Sequence, residues 1–246
     1  MEYTEQDFSS ASIIYRQSLR DYMLRVYYYM TLALALTGIF AILPTSSDTV
    51  MNALYVTQNN KVVGFSPLGW IISVAPVAIA LAFSFGLPRM KASSAQLLFW
   101  AYAILLGLSL SSLFFIYKGE SIANIFFVTA SIFGVMSLYG YLTKKDLTSF
   151  GSFLIMGLVG IIIVSLANLF FKNNGLNFAL SIMSALIFTG LTALDTQRIK
   201  NTHDMYQVNN RDTATKIAIM GALTLYLDFI NIFIHLLQLF GKKKEE

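Results

Sequence analysis

Between consecutive ionised side chains the sequence holds six unbroken uncharged runs, 26–47, 62–88, 92–117, 121–143, 147–171 and 173–194, of 22 to 27 residues each. A seventh, 217–241, is interrupted only by Asp228 and contains His235. About 20 apolar residues in a helix suffice to cross the hydrocarbon of a bilayer, so all seven are long enough. The pattern predicts an all-α membrane protein, a seven-helix transmembrane bundle. Its spans lie at about 22–44, 69–87, 94–117, 121–143, 148–171, 176–197 and 215–240, in a single polytopic membrane domain over 1–246. Turn chemistry separates them: Pro44 to Asp48, Pro88 to Lys91, Lys118 to Glu120, Lys144 to Asp146 and Lys172 to Gly175. Three of these connections are very short, which makes consecutive helices antiparallel neighbours. Pro76 inside the second span predicts a kink there, and Gly134, Gly140, Gly157 and Gly160 suit close helix packing.

Composition narrows the class. Only 12% of residues are charged and 56% are apolar, against roughly 25% and 45–50% in soluble domains, and mean hydropathy is +0.64. The longest segments outside the spans, about 45–67 and 199–214, are too short to bury a core alone. With no cysteine there are no disulfides, thiolate metal sites or covalent cysteine chemistry. The first 21 residues mix acids and bases and lack the apolar core of a cleaved signal. The net charge of +4 comes from the loops, and no basic aromatic surface points to nucleic acid.

Loop Lys and Arg set the expected orientation. If all seven segments cross, one side carries Arg16, Arg20, Arg25, Arg89, Lys91, Lys144, Lys145, Arg198, Lys200, Arg211 and Lys216, and the other carries Lys61, Lys118 and Lys172. This places the amino terminus in the cytoplasm. Lys242, Lys243 and Lys244 in the tail then fall on the opposite side, so a re-entrant seventh segment stands as the second topology.

Eleven of the thirteen acids lie in tails, loops or span edges; the exceptions are Asp195, near the end of the sixth span, and Asp228, in the middle of the seventh. A carboxylate at a helix centre costs about 2.5–3.5 kcal/mol on insertion scales, so an intramembrane acid is a functional candidate by default. Thr224, Asp228, Asn231, His235 and Gln238 are spaced by four, three, four and three residues, which places them on one helical stripe. Lipid offers such a stripe no partners, so it faces other helices or water. Plainer readings stay open. Asp195 has Arg198 three residues on, Asn231 and Gln238 suit interhelical hydrogen bonds, and His235 suits a buried neutral imidazole. Arg89 fits the positive side of the membrane.

The segments Met136-Ser-Leu-Tyr-Gly-Tyr-Leu-Thr-Lys-Lys-Asp-Leu147, Phe188-Thr-Gly-Leu-Thr-Ala-Leu-Asp-Thr-Gln-Arg-Ile-Lys200 and Gly221-Ala-Leu-Thr-Leu-Tyr-Leu-Asp-Phe-Ile-Asn-Ile-Phe233 resemble the signature segments of the Bax inhibitor-1 family, in its bacterial branch. The resemblance covers about residues 20–241. It implies six helices around a central seventh and a pH-sensitive calcium leak. It also implies that Asp195 and Asp228 form the gate and pH sensor at the cytoplasmic end of the pore, with Arg89 as the best-placed latch. Some relatives carry an acid inside the second span that helps calcium enter; here Ala75 and Pro76 occupy that region.

Two carboxyls in a low-dielectric site cannot both ionise cheaply, so such a pair holds a proton and titrates as a unit. Protonated, the pair joins the sixth and seventh spans; ionised, it repels or attracts a cation. Ca²⁺ prefers oxygen ligands, which makes Asp195 and Asp228 candidate calcium contacts, lined by the polar stripe of Thr224, Asn231, His235 and Gln238. No resident cofactor is expected, and the expected partners are the lipid bilayer, calcium and protons. No enzyme is expected either. The Gly-x-Gly-Asp of an intramembrane aspartyl protease and the His-Glu-x-x-His of a zinc protease are absent, and no Lys sits inside a span to hold retinal. The competing reading is a non-conducting regulator, which the resemblance links to a membrane-bound ATP-dependent protease or to cell-death partners. The expected location is a bacterial inner membrane, or the endoplasmic reticulum for a eukaryotic protein, where Lys243 to Glu246 resembles a dilysine retrieval tail.

Overall fold

The computed structural model describes residues 5–58, 61–86, 89–205 and 211–244. In chain order it places α1 (Glu5–Ser46), α2 (Asp48–Leu54), β1 (Tyr55–Gln58), β2 (Lys61–Phe65), α3 (Pro67–Gly86) and α4 (Ala92–Leu110). There follow α5 (Leu113–Ile116), α6 (Gly119–Leu142), α7 (Thr148–Phe171), α8 (Asn174–Met205) and α9 (Arg211–Phe240). Glu245 and Glu246, half of the dilysine-like tail, lie outside the described residues, as does Pro88.

Among the described residues six helical stretches are long and apolar enough to cross a membrane: Gln17–Ser46, Ala92–Ile116, Gly119–Leu142, Thr148–Phe171, Asn174–His203 and Asp212–Phe240. The second of the seven expected spans corresponds to α3, a helix of 20 residues without a charged side chain. Geometrically α3 runs from one end of the bundle to the other. Its start is held to α2 by a hydrogen bond from Ser66 N to Leu54 O at 2.9 Å. Just past its end, Met90 O accepts from Lys216 Nζ at 3.2 Å, and Ala92 N donates to Asp212 Oδ1 at 3.0 Å, both on the first turns of α9.

Helix ends differ from the sequence expectation where side-chain oxygens take over from the backbone. Pro44 does not stop α1, which continues to Ser46; the Thr45 and Ser46 hydroxyls donate to Ile42 O at 2.7 Å and Leu43 O at 3.1 Å in the last turn. The expected third span is one apolar stretch but two helices. Ser111 and Ser112 hydroxyls donate back to Leu108 O and Ser109 O, and such back-bonding competes with helix continuation.

The strand pair departs from an all-α fold. The segment 55–65 is rich in Tyr, Val, Thr and Phe, which favour strands, and β1 and β2 pair antiparallel within it, β2 taking up the start of the 62–88 run. Tyr55 anchors it, its ring packed on Phe65 and Phe115 and its hydroxyl 2.7 Å from Ser111 Oγ.

Helix α9 packs against α1, α4, α6 and α8, whereas α7 packs against α8. Two thirds (67%) of the apolar window of α9 is buried, against 11% for α7. A row of buried apolar side chains explains it: Ile219, Ala222, Leu225, Tyr226, Phe229, Ile232, Phe233, Leu236 and Leu237 surround that helix. After α9 the chain bonds sideways to the turn between α5 and α6. Lys118 N donates to Lys242 O, Lys244 N to Ile116 O and Lys242 N to Ser121 Oγ, each at 2.9 Å.

Candidate functional site

Helices α8 and α9 pack antiparallel, and one contact fixes their register. A Cβ on Gly221 would lie 3.3 Å from the Ile199 side chain, so Ile199 seats against the bare backbone of α9. One turn is 3.6 residues and about 5.4 Å. Asp195, a turn before Ile199, is therefore level with Thr224, a turn after Gly221, and Asp228 sits one turn deeper.

A cavity of about 780 Å³ opens at this end of the bundle, lined among others by Tyr22, Asp195, Arg198, Lys216 and Thr224. Asp195 reaches it with 14% of its side chain exposed and pairs with Arg198, Nη1 to Oδ1 at 3.3 Å. Asp228 lies beyond the cavity wall. It is 4% exposed, and its Oδ2 is buried without a hydrogen-bond partner. The Asp195 carboxyl is near enough for its charge to act on Asp228. Seen from the cavity, Asp195 and Thr224 both stand in its wall, and Asp228 lies one turn behind them.

The rest of the stripe also turns toward α8, though its members do different things. Asn231 Nδ2 donates to Leu227 O at 2.8 Å on its own helix. His235 stacks on Phe188 of α8, ring centroids 6.3 Å apart and planes 16° apart, and its Nδ1 lies 3.3 Å from Gln238 Oε1. Ser181 Oγ on α8 donates to that same Oε1 at 2.8 Å. Thr224 Oγ1 donates to Met220 O at 3.1 Å. The polar residues thus form two groups, Asp195, Thr224 and Asp228 at one end and Ser181, His235 and Gln238 at the other.

Arg89 is exposed, and among the described residues it makes no ion pair and is not among those lining the cavity; the cations that do line it are Arg198 and Lys216. Calcium usually takes six to eight oxygens. Among the described residues no three His, Cys, Asp or Glu cluster together, so two carboxyls and nearby hydroxyls are the oxygens this site offers.

Several polar ties around this site carried no sequence signal. Gln197, 8% exposed, uses both ends of its amide on the turn between α6 and α7: Oε1 accepts from Leu147 N at 2.9 Å and Nε2 donates to Lys145 O at 2.8 Å. Tyr27 bonds to Ser137, and Ser137 Oγ lies 3.0 Å from Thr196 Oγ1, joining α1, α6 and α8. The spacing of these residues along the chain matches no motif, because each partner comes from a distant helix.

Six apolar helices of membrane-crossing length, with an acid buried between two of them, define a helical integral membrane protein. Residues 19–245 match the family described as Inhibitor of apoptosis-promoting Bax1, and the chain belongs to this Bax inhibitor-1 family. It is 48% identical over 237 residues to the uncharacterized protein RP147 of Rickettsia prowazekii, covering 96% of each chain. It is 42% identical over 231 residues to the inner membrane protein YbhL of Escherichia coli K12, covering 93% of this chain and 94% of that one. An uncharacterized protein of Caulobacter vibrioides is 42% identical over 228 residues, covering 92% and 90%.

Proposed function

We propose that this protein is a slow, proton-modulated cation leak in a bacterial inner membrane, with calcium as its cargo and Asp195 and Asp228 as its gate. The observation that carries this reading is the buried Asp228, one carboxyl oxygen without a partner, within electrostatic reach of an acid that lines a cavity. In this reading α3 is a seventh crossing, since it runs between the two ends of the bundle, and α9 is the central helix. The amino terminus faces the cytoplasm, following the bias of Lys and Arg, and the inner-membrane name of a relative supports the location.

When the two carboxyls share a proton, they hold α8 against α9 and the path is closed. When both ionise, their repulsion in a site of low dielectric loosens that contact, and the negative charge draws a cation from the cavity. Thr224 supplies a further oxygen on the way. Arg198 competes with the cation for Asp195, which keeps the leak slow.

The test is calcium efflux from vesicles holding the purified protein, measured from roughly pH 5 to 8, because a coupled pair of carboxyls titrates as a unit. Efflux that rises with pH in the parent, and loses that dependence in the double variant Asp195→Asn, Asp228→Asn, is the expected result. Unchanged pH dependence in the double variant overturns the gate. No efflux at any pH, with a membrane protein co-purifying in stoichiometric amount, would favour the non-conducting regulator instead.

A further inference from the structure

Away from the acids, a groove of about 440 Å³ separates α1 from α6 at the end of the bundle where Arg20 lies. Its floor is Met23, Phe133 and Ser137, all buried, and its rim is Leu24 and Leu138, 54% and 57% exposed. Tyr27 is bonded to Ser137 and Ser137 to Thr196, so both of these hydroxyls are engaged and the walls present mainly carbon. Gly134 keeps the slot open, since a Cβ there would meet no atom within 4 Å.

The mouth is positive. Arg20 lines it, exposed, and among the described residues Arg20 makes no ion pair and no carboxylate lines the groove. Tyr141 closes the opposite wall and is held from behind by α8, where Lys200 Nζ donates to Tyr141 O at 2.9 Å and sits 5.3 Å above the Tyr141 ring. An apolar slot with a guanidinium at its mouth matches a phospholipid, tail against carbon and phosphate against Arg20.

We propose that this groove is a site for one anionic phospholipid of the adjoining leaflet, with its phosphate on Arg20 and one acyl chain laid against Leu24, Phe133 and Leu138. The charge at the mouth selects an anionic over a zwitterionic headgroup, and the width left by Gly134 admits the chain.

The experiment is native mass spectrometry of the full-length protein in detergent, titrated with dioleoyl phosphatidylglycerol or dioleoyl phosphatidylcholine. One phosphatidylglycerol binds ahead of phosphatidylcholine in the parent. Arg20→Gln weakens it about fivefold, the worth of one basic side chain at an anionic surface, and removes the preference. Arg20→Lys keeps the preference. Gly134→Phe fills the slot and blocks that first lipid of either kind. Arg25→Gln leaves binding unchanged, because five residues turn the side chain about 140° around α1. An undiminished preference in Arg20→Gln, or parental binding in Gly134→Phe with a parental melting temperature, overturns the site.

Discussion

The Thr37 hydroxyl on α1 lies 2.6 Å from the Tyr226 hydroxyl on α9 and donates to Ala103 O on α4 at 3.0 Å. Thr37 has one proton, which it spends on Ala103, so Tyr226 is the donor in the other bond. Two hydroxyls therefore fasten three helices at a point where Tyr226 is fully buried and Thr37 is 4% exposed.

Removing the phenolic oxygen with Tyr226→Phe leaves Thr37 short of a donor at constant ring volume. Interhelical hydrogen bonds in membranes average about 0.6 kcal/mol and reach about 1.7, so a loss of about 1 kcal/mol is expected. For a chain of this size that is about 2–4 °C in melting temperature. Thr37→Val should cost at least as much, because it also strands the Tyr226 hydroxyl. The double variant should fall short of the sum, and strict additivity in detergent melts would show that the two hydroxyls act independently.

Gly140 and Gly134 sit on the same helix yet should respond oppositely to a methyl group. A Cβ on Gly140 would come within 2.1 Å of Ala193 O, a backbone atom of α8 that cannot turn away, while one on Gly134 meets nothing within 4 Å. Gly140→Ala is expected to cost about 1–3 kcal/mol or more through forced separation of α6 and α8. Gly134→Ala should be neutral or slightly stabilising through helix propensity. Equal melting curves for the two variants would contradict the close approach.

Asp146, exposed before α7, accepts from Thr148 N at 2.9 Å, and bonds from Thr148 hold its carboxyl below the usual carboxylate range. A carboxyl so lowered stabilises the fold above its unfolded value, about 3.9, and that stability is lost as pH falls through the lower folded value. Amide exchange at Thr148 should therefore be slow at neutral pH and lose protection on acidification. Asp146→Ala should expose that amide even at neutral pH; retained protection in the variant would remove Asp146 from the cap.

Arg198 offers a test of the gate from its outer side. Its guanidinium is 3.3 Å from Asp195, and a positive charge there favours the ionised acid. Arg198→Gln should therefore keep the pair protonated, and the leak closed, to higher pH, while Arg198→Lys should shift the onset less. Vesicle efflux whose onset stays put or moves to lower pH in Arg198→Gln would exclude Arg198 from the gate.

The membrane frame was legible because charge is scarce and punctual. Lys144, Lys145 and Asp146 interrupt long carbon-rich runs, and α7 begins at Thr148 immediately after them. The stripe of Thr224, Asp228, Asn231, His235 and Gln238 was legible as a face, since helical spacing alone defines it. Its division into two groups was not, because that depends on Phe188 and Ser181 of α8 coming opposite His235 and Gln238. The hairpin escaped notice because two short strands flanking an Asn-Asn pair read as a polar connection between long helices. Thr37 and Tyr226 escaped for a different reason. Uncharged hydroxyls occur throughout the spans, and nothing in a single sequence matches one to a partner 189 positions away.

The two ends of α9 are held in different ways with one mechanical result. Asp212 and Lys216 tie its start to Ala92 and Met90, and Lys242 to Lys244, just beyond its end, are stitched to residues 116–121. Both anchor points flank α4 and α5, so the most enclosed helix of the bundle is strung like an axle between two bearings on the same frame. Sliding it along its own axis would break both sets of bonds together. In the proposed gate, motion at the acids therefore falls to α8, the helix that carries Asp195, while α9 stays in place.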